Sequence, residues 1–133
     1  MREYACGILV DRKRLLLGFR APHKKILPNK WDVLGGMVEP GETLHQALIR
    51  ELNEEIGIIP DRFELLGSVL DPNEAARGGA RYHLFRVSSW EGGEPQICNH
   101  EHTKLGWFTL EEACSLSELA LDEYRPFFAR AMA

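Results

Sequence analysis

One segment of the chain combines glycine, proline and glutamate in a way that restricts both its fold and its chemistry. It reads GGMVEPGETLHQALIRELNEEIGI, from Gly35 to Ile58, and contains five glutamates. The glycines and Pro40 at its start favour a tight turn. Residues 43–55 have the apolar spacing of a helix, which Gly57 is well placed to end. The sequence therefore predicts a turn followed by an acidic helix.

The predicted helix places three carboxylates beside its apolar stripe. That stripe consists of Leu48, Ile49, Leu52 and Ile56. Glu51, Glu54 and Glu55 lie on the adjoining arc, where like charges repel one another. Hard divalent cations would relieve this repulsion, and oxygen ligands suit Mg²⁺ or Mn²⁺. From charge alone, a solvated helix rich in glutamate, a good helix former, explains the segment equally well.

The composition of the whole chain indicates a small globular protein. Its 133 residues fit one domain, 1–133, with a hydrophobic core. We find neither an apolar run of bilayer length nor a leader at Met1, and we expect a cytoplasmic protein without a membrane partner. The net charge of −4, without a dense block of lysine and arginine, argues against a nucleic-acid duplex as partner. A small phosphorylated substrate that brings cations with it is compatible with this charge.

The three cysteines suggest neither a disulfide framework nor a zinc site. Cys6, Cys98 and Cys114 are widely spaced, odd in number and form no CxxC pair. Cys6 lies in an apolar strand pattern, and we expect it in the core.

The rest of the chain alternates strand patterns with two short helical segments. The strand patterns cover residues 4–10, 14–19, 63–70, 81–87 and 105–110. The first two are joined by the polar turn DRKR and predict a hairpin. Thr109 and Glu112 form a capping-box pattern for a short helix, and a last helix is expected from near Asp122, carrying Phe127 and Phe128. Mixed strands with few helices indicate an α+β or α/β sandwich, and not a repeating βαβ fold.

The spacing within the acidic segment resembles the signature of the Nudix hydrolases. Gly36, Glu42 and residues 50–58 match GX5EX7REUXEEXGU, in which U is aliphatic, at every specified position. Beyond this box, 36–58, the chain is similar to MutT-type members, the nucleoside triphosphate pyrophosphohydrolases, in the stretches GILV, SWEGGEP and GWFTL. The resemblance implies an α+β Nudix fold, an α/β/α sandwich with a mixed central sheet, a loop–helix–loop and a C-terminal helix.

The resemblance also implies a metal site. In the family, the box binds divalent metals on the diphosphate of a nucleoside diphosphate linked to a moiety X. Carried over to this chain, the metal ligands are the backbone carbonyl of Gly35 and the side chains of Glu51, Glu54, Glu55 and Glu101. Glu42 and Arg50 would orient the helix carboxylates. Gly35 and Gly36 would also border the bound substrate.

One ligand, Glu101, comes from a loop after the box, six residues before Trp107. It occupies the place where MutT-type enzymes carry a further acidic ligand or base. The alternative is a solvated loop carboxylate. His100 and His102 flank it and are alternative bases.

The implied reaction is attack of water on a phosphoryl group of a triphosphate. Divalent cations activate the water and neutralise charge on the phosphoryl oxygens, and a carboxylate accepts the proton. We favour Glu51 as this base, with Glu54 and Glu101 as rivals and Arg50 as their orienting residue. The products would be a nucleoside monophosphate and pyrophosphate, with Mg²⁺ as the metal and Mn²⁺ as a possible substitute.

Several residues outside the box bear on substrate choice. Arg20 resembles an arginine that contacts substrate in MutT-type enzymes, although an exposed charge at a strand end is the alternative. Asp122, fifteen residues after Trp107, corresponds to an Asn or Asp that reads the base edge, although Asp before a helix is also a good N-cap. Trp31 and Phe19 are suited to stacking on a base or, more commonly, to core packing.

Two departures from the family pattern keep other functions open. Leu34 replaces a proline found in many relatives, so the rim of the site is expected to differ. Pro72 lies close to where ADP-ribose-cleaving relatives carry a proline, although a proline in a turn is common. The alternatives are a pyrophosphatase of ADP-ribose or another nucleotide-sugar and a catalytically silent nucleotide-binding module. A monomer and a homodimer are both compatible with the sequence.

Overall fold

A computed structural model describes residues 1–71 and 78–133 of the chain. Its elements are β1 (Arg2–Asp11), β2 (Arg14–Arg20), β3 (Trp31–Asp32), β4 (Leu34–Met37), α1 (Leu44–Ile56), β5 (Ile59–Leu70), β6 (Ala80–Glu91), β7 (His102–Phe108), α2 (Leu110–Cys114) and α3 (Arg125–Ala131), the last preceded by a 3₁₀ turn, Asp122–Tyr124. All five predicted strands are confirmed, and those at 63–70 and 81–87 are longer than the sequence indicated. None of the helices in the described residues has the length and apolar character needed to cross a bilayer.

Strand β1 lies at the centre of the sheet. It pairs antiparallel with β4 and parallel with β6, and β6 pairs antiparallel with β5. The end of β1 also pairs with β2, which in turn pairs with β3 and β7. The predicted hairpin is confirmed: Arg12 and Lys13 form its turn with φ of 50° and 64°, the left-handed conformations of a type I′ turn. The predicted mixed sheet is confirmed.

Side chains of β1 alternate between two cores, because successive residues of a strand point to opposite faces. Ala5 and Leu9 pack in the core that includes Leu48 and Leu52 of α1. Cys6 and Ile8 pack in the other core, which includes residues of α2 and α3. The expected core position of Cys6 and the α/β/α sandwich are thus confirmed.

Helix α1 begins and ends where the sequence predicted. Thr43 is its N-cap and forms a capping box with Gln46, and Gly57 ends it in the left-handed region, at φ 70°. Its buried face differs from the predicted apolar stripe: Ile49 is only half-buried, whereas Ala47 and Glu55 are buried. Of the three carboxylates, Glu55 is therefore turned toward the sheet and Glu51 is half-buried, whereas Glu54 is exposed.

Gly35 and Gly36 lie within strand β4, opposite Cys6 and Ala5 of β1. The prediction that they form a turn was therefore wrong, and the turn follows β4, with Gly41 at φ 84°. Gly35 has φ 151°, and a Cβ there would lie 2.1 Å from the Ala5 carbonyl oxygen. A side chain at Gly35 would therefore collide with the backbone of β1, whereas one at Gly36 would collide with Glu51 of α1.

Other sequence predictions need small corrections. The strand expected at 105–110 is β7, which starts at His102 and ends before Thr109, because Thr109 caps α2 through the predicted capping box with Glu112. The last helix starts with the 3₁₀ turn at Asp122, and its Phe127 and Phe128 are buried, as expected.

Candidate metal centre

Most of the predicted site residues line one cavity of about 630 Å³ between α1, β4 and the loop 21–30. Those that line it are Arg20, Gly35, Gly36, Glu51, Glu54, Glu55 and Glu101. The fold thus brings together the box carboxylates and Glu101, which is far away in sequence. Arg50 and Asp122 are not among the described residues that line the cavity.

Glu55 is the most buried of these carboxylates. Its exposed fraction is 4%, and Oε2 accepts a hydrogen bond from the backbone N–H of Gly35 at 2.9 Å. Burial raises the pKa of Glu55 well above its ordinary value, and the neighbouring charge of Glu51 raises it further. An ionised Glu55 is therefore costly unless a cation lies nearby.

Glu51 packs directly against Gly36. A Cβ at Gly36 would lie 2.3 Å from the Cδ and Oε2 atoms of Glu51, so only glycine leaves room for this carboxylate. Burial raises the pKa of Glu51, and the charges of Glu54 and Glu101 contribute in the same direction. Gly36 thus explains how a helix can place a carboxylate against the sheet.

Arg50 forms hydrogen bonds with several carboxylates of the box. Its guanidinium donates two hydrogen bonds to Glu42, at 2.7 and 2.9 Å, which form a bidentate pair. It also donates to Glu51 at 2.8 Å and to Glu54 at 3.3 Å, and to the carbonyl of Met37 at 3.0 Å. The Arg50 hydrogen bond lowers the pKa of Glu42 to about 2. This geometry suits the orienting role that the resemblance implied for Glu42 and Arg50.

Glu101 approaches the same cavity from the segment before β7. Its carboxylate accepts a hydrogen bond from Lys24, which lowers the pKa of Glu101. Of the two flanking histidines, His100 is exposed and is not among the described residues that line the cavity. His102 is buried, burial lowers its pKa to about 4, and its Nε2 has no hydrogen-bond partner among the described residues.

Of the two charged residues considered for substrate recognition, Arg20 lies at the cavity and Asp122 does not. Arg20 lines the cavity, but its guanidinium donates to Asp32 at 3.1 Å and to the carbonyls of Ile26 and Leu27. The side chain of Asp122 is 82% exposed and pairs with Arg125. The structure does not bring Asp122 to the cavity, and a base-reading role for it stays a prediction.

Three further residues from the sequence analysis lie away from the cavity. Phe19 and Trp31 contact each other edge to face, with ring centroids 5.1 Å apart, and neither is among the described residues that line it. Leu34 is fully buried in the core beneath α1 and is not among the described residues that line the cavity; a rim that differs from that of relatives stays a prediction. Pro72 lies outside the described residues.

Two tyrosines that the sequence analysis missed also line the cavity. Tyr4 of β1 and Tyr82 of β6 are register partners, and their rings stack with centroids 4.7 Å apart. The signal available in the sequence was the alternation of β1, which puts Tyr4 on the same face as Cys6 and Ile8. The pairing of β1 with β6 is non-local and was not predictable from that alternation.

The donor set suits a divalent cation, although it is not a closed cage. In residues 1–71 and 78–133, no three histidine, cysteine, aspartate or glutamate side chains meet closely enough to hold a metal ion as they stand. Four glutamates nevertheless border one cavity, and the pKa values of Glu51 and Glu55 are raised by burial and by mutual repulsion. Oxygen donors of this kind fit Mg²⁺ or Mn²⁺.

The raised pKa values predict how stability depends on pH when no metal is present. Well below the ordinary glutamate value of 4.5, Glu51 and Glu55 are protonated in both folded and unfolded chains. As pH rises above 4.5, the native state retains protons that the unfolded state has released, so the free energy of unfolding falls. Glu55→Gln should reduce this decrease in the free energy of unfolding with pH. It should also raise the metal-free Tm at pH 7.5 by about 4 °C, which corresponds to about 1 kcal/mol in a domain of this size.

Thermal unfolding between pH 4 and pH 8, with EDTA and with Mg²⁺, measures this effect. Mg²⁺ should restore the stability of the unmodified protein but add little to Glu55→Gln. The exposed Glu64 provides a matched control, because Glu64→Gln should follow the unmodified profile. Equal pH profiles for the unmodified protein and Glu55→Gln would contradict the expectation.

Comparison with known proteins identifies the family of the chain. The model of the NUDIX domain family matches residues 1–131. The chain is 32% identical to the CTP pyrophosphohydrolase of Escherichia coli (strain K12) over 113 residues, which are 85% of this chain and 79% of that protein. It is 39% identical to the nucleoside triphosphatase NudI of Enterobacter sp. (strain 638) over 56 residues, which are 42% of this chain and 40% of NudI.

The fold agrees as well. The crystal structure of a MutT NUDIX hydrolase from Burkholderia pseudomallei superposes with a TM-score of 0.82 at 28% identity, covering 96% of this chain and 95% of that chain. NUDIX hydrolases generally use divalent metals and bind small nucleotide substrates. The chain belongs to the NUDIX family and is a MutT-like hydrolase of phosphoric anhydride bonds.

Proposed function

We propose that this protein is a Mg²⁺-dependent pyrophosphohydrolase that converts a nucleoside triphosphate, with an ordinary or oxidised base, to the monophosphate and pyrophosphate. The observation that carries the proposal is the lining of one cavity by four glutamates and two lysines: Glu51, Glu54, Glu55, Glu101, Lys24 and Lys25. Carboxylates that need a cation and ammonium groups that can bind phosphate suit a metal–polyphosphate substrate.

The proposed metal ligands are the four cavity glutamates and the backbone carbonyl of Gly35. When bound, divalent cations would supply Lewis acidity and neutralise charge on the phosphoryl oxygens. Glu55 is held by the Gly35 N–H, and Arg50 fixes Glu51 and Glu54. The protein thereby positions its donors before the substrate arrives.

Glu51 is the best candidate for the general base. Arg50 donates to its Oε1, so Oε2 can accept a proton from the attacking water. The raised pKa of Glu51 makes it a stronger base near neutral pH. Its rivals are less suited, because Glu54 has a side chain that is 55% exposed and Lys24 lowers the pKa of Glu101.

For the nucleoside we propose a position beside Tyr4 and Tyr82. Aromatic rings stack with bases of any sequence identity, and both side chains line the cavity that contains the carboxylates. In this arrangement Arg20 supports the cavity wall through Asp32 and the carbonyls of the loop 21–30, in addition to any contact with substrate.

A substrate panel tests the proposed function. With Mg²⁺ present, we expect pyrophosphate release from at least one of CTP, dCTP, dGTP and 8-oxo-dGTP; CTP is included because a relative is named for it. EDTA should abolish the release. Faster release of AMP from ADP-ribose, or turnover of diadenosine polyphosphates alone, would contradict the triphosphate proposal and favour the alternative pyrophosphatase. Nucleotide binding without any turnover would favour the silent module.

We further propose that residues 1–133 form one catalytic domain that works in the cytoplasm, where nucleoside triphosphates are abundant. The expected oligomeric state, a monomer or a homodimer, stays a prediction.

A further inference from the structure

We propose that Lys24 is an exchangeable counter-ion of this site. It neutralises Glu101 while the site lacks a divalent cation, and it moves to a phosphate oxygen of the nucleotide once the cation is bound. This inference rests on the proposed function and adds a substrate-binding residue, which changes its ion-pair partner when the cation and the nucleotide bind.

The first support is that the Lys24 ammonium pairs with Glu101 and that its backbone is held next to that residue. Its Nζ donates to Oε2 of Glu101, and the exposed fractions of the two side chains are 25% and 45%. The backbone joins the same two segments, because the N–H of Ala21 donates to the Glu101 carbonyl at 3.0 Å. The N–H of Lys24 itself donates to the Ala21 carbonyl at 3.2 Å. A short tether therefore keeps Lys24 beside Glu101.

Arg20 fixes the other half of the same loop. Its Nε donates to the carbonyls of Ile26 and Leu27, at 3.1 and 3.0 Å, and its Nη1 donates to Asp32 at 3.1 Å. The loop is held at both ends of the Lys24 segment, so the flexible part is the lysine side chain. A change of partner requires rotation of that side chain and no movement of the loop.

For electrostatic reasons, Glu101 pairs either with Lys24 or with a divalent cation, and not with both. A divalent cation ligated by Glu101 would stand within a few ångströms of an ammonium on the same carboxylate. Two such cations repel strongly in a half-buried site, because screening by water is incomplete there. The divalent ion also interacts more strongly with the carboxylate than a single positive charge does. Binding of the divalent cation therefore displaces Lys24 from Glu101.

The displaced ammonium remains at the cavity. Lys24 and Lys25 are the two lysines among the described residues that line it, together with the carboxylates of α1. The polyphosphate of the proposed substrate would bring several negative charges into this cavity. Lysine binds phosphate as a point charge without a fixed geometry. The lysine that leaves Glu101 thus gains a phosphate oxygen as its new partner.

Metal titration of the nucleotide-free protein tests the first half of the proposal. Lys24→Met removes the competing charge, so we expect Mn²⁺, followed by electron paramagnetic resonance, to bind about five-fold more tightly. Lys30→Met is the matched control, since it removes an ion pair of the same loop, with Glu118, and Lys30 is not among the described residues that line the cavity; its Mn²⁺ affinity should stay within about two-fold of the unmodified value. Lys24→Arg keeps the charge and should bind Mn²⁺ like the unmodified protein.

Nucleotide binding tests the second half. The probe is an α,β-methylene analogue of the best triphosphate substrate, titrated with Mg²⁺ present. Lys24→Met should weaken its affinity about ten-fold, and Lys24→Arg should restore most of the loss. Unchanged or weaker Mn²⁺ binding by Lys24→Met would overturn the proposal, as would undiminished affinity for the analogue.

The same experiments separate this inference from the proposed function. If the unmodified protein binds neither Mn²⁺ nor the analogue, the proposed function fails, and the inference fails with it. If the unmodified protein binds both and Lys24→Met behaves like Lys30→Met, only the exchange of Lys24 is wrong. Thermal unfolding of each variant confirms that the fold is retained, as expected for substitutions of half-buried or exposed lysines.

Discussion

Replacing Glu51 with glutamine is expected to lower kcat/KM for the preferred triphosphate by about 10³-fold, since loss of a general base alone costs about 10²–10⁴-fold. Glutamine keeps the shape of the side chain and its contact with Gly36, but it neither accepts a proton from water nor attracts a divalent cation as strongly. Because burial makes an ionised Glu51 costly, the variant should fold at least as well as the unmodified protein. Steady-state assays of pyrophosphate release measure the effect.

The matched control for this prediction is Glu64→Gln on the exposed side of β5, which removes the same charge away from the cavity. Its kcat/KM should stay within about two-fold of the unmodified value. A Glu51→Gln variant that retains more than about a tenth of the activity would rule out Glu51 as base, given the usual size of that contribution. Glu54 and Glu101 would then be tested by the same substitution.

Gly36→Ala is expected to lower kcat/KM by about 10²-fold with little change in Tm, the usual cost of displacing a reacting group by about 1 Å. The added methyl would lie 2.3 Å from the Glu51 carboxylate, so that side chain must move. The strand itself tolerates alanine, because φ of Gly36 lies outside the left-handed region. Assays of kcat/KM and thermal unfolding on one preparation separate the two effects.

A double-mutant cycle checks that Gly36 acts through Glu51. If it does, Gly36→Ala should cost little in a protein that already carries Glu51→Gln, because the two residues share one function. Additive losses would show instead that the alanine disturbs a different part of the site.

Local patterns in the sequence were sufficient to predict most of the fold. The unbroken apolar run of β1 reflects a strand buried on both faces. Thr43 and Gly57 identify both ends of α1, because capping depends on neighbouring residues only. The placement of Gly35 and Gly36 was wrong because glycine is typical of turns, and only the pairing with Cys6 and Ala5 shows that they belong to a strand.

The site residues within helix α1 were predictable from their spacing. Those outside it were predictable only where the family resemblance indicated them. Glu51 and Glu55 lie one helical turn apart, so the sequence alone indicated a carboxylate cluster. Their burial was not predictable, because it depends on glycines from another strand. Lys24 and Tyr82 were missed for a similar reason: the fold, and not their spacing, places them beside Glu101 and Tyr4.

Calorimetric titration of Mg²⁺ and Mn²⁺ into the purified protein tests most directly whether the carboxylates of α1 form a cation site. We expect saturable uptake of either ion in the presence of a non-hydrolysable triphosphate, and much weaker uptake by Glu51→Gln and Glu55→Gln. Absence of uptake of both ions by the unmodified protein, with and without nucleotide, would contradict the account.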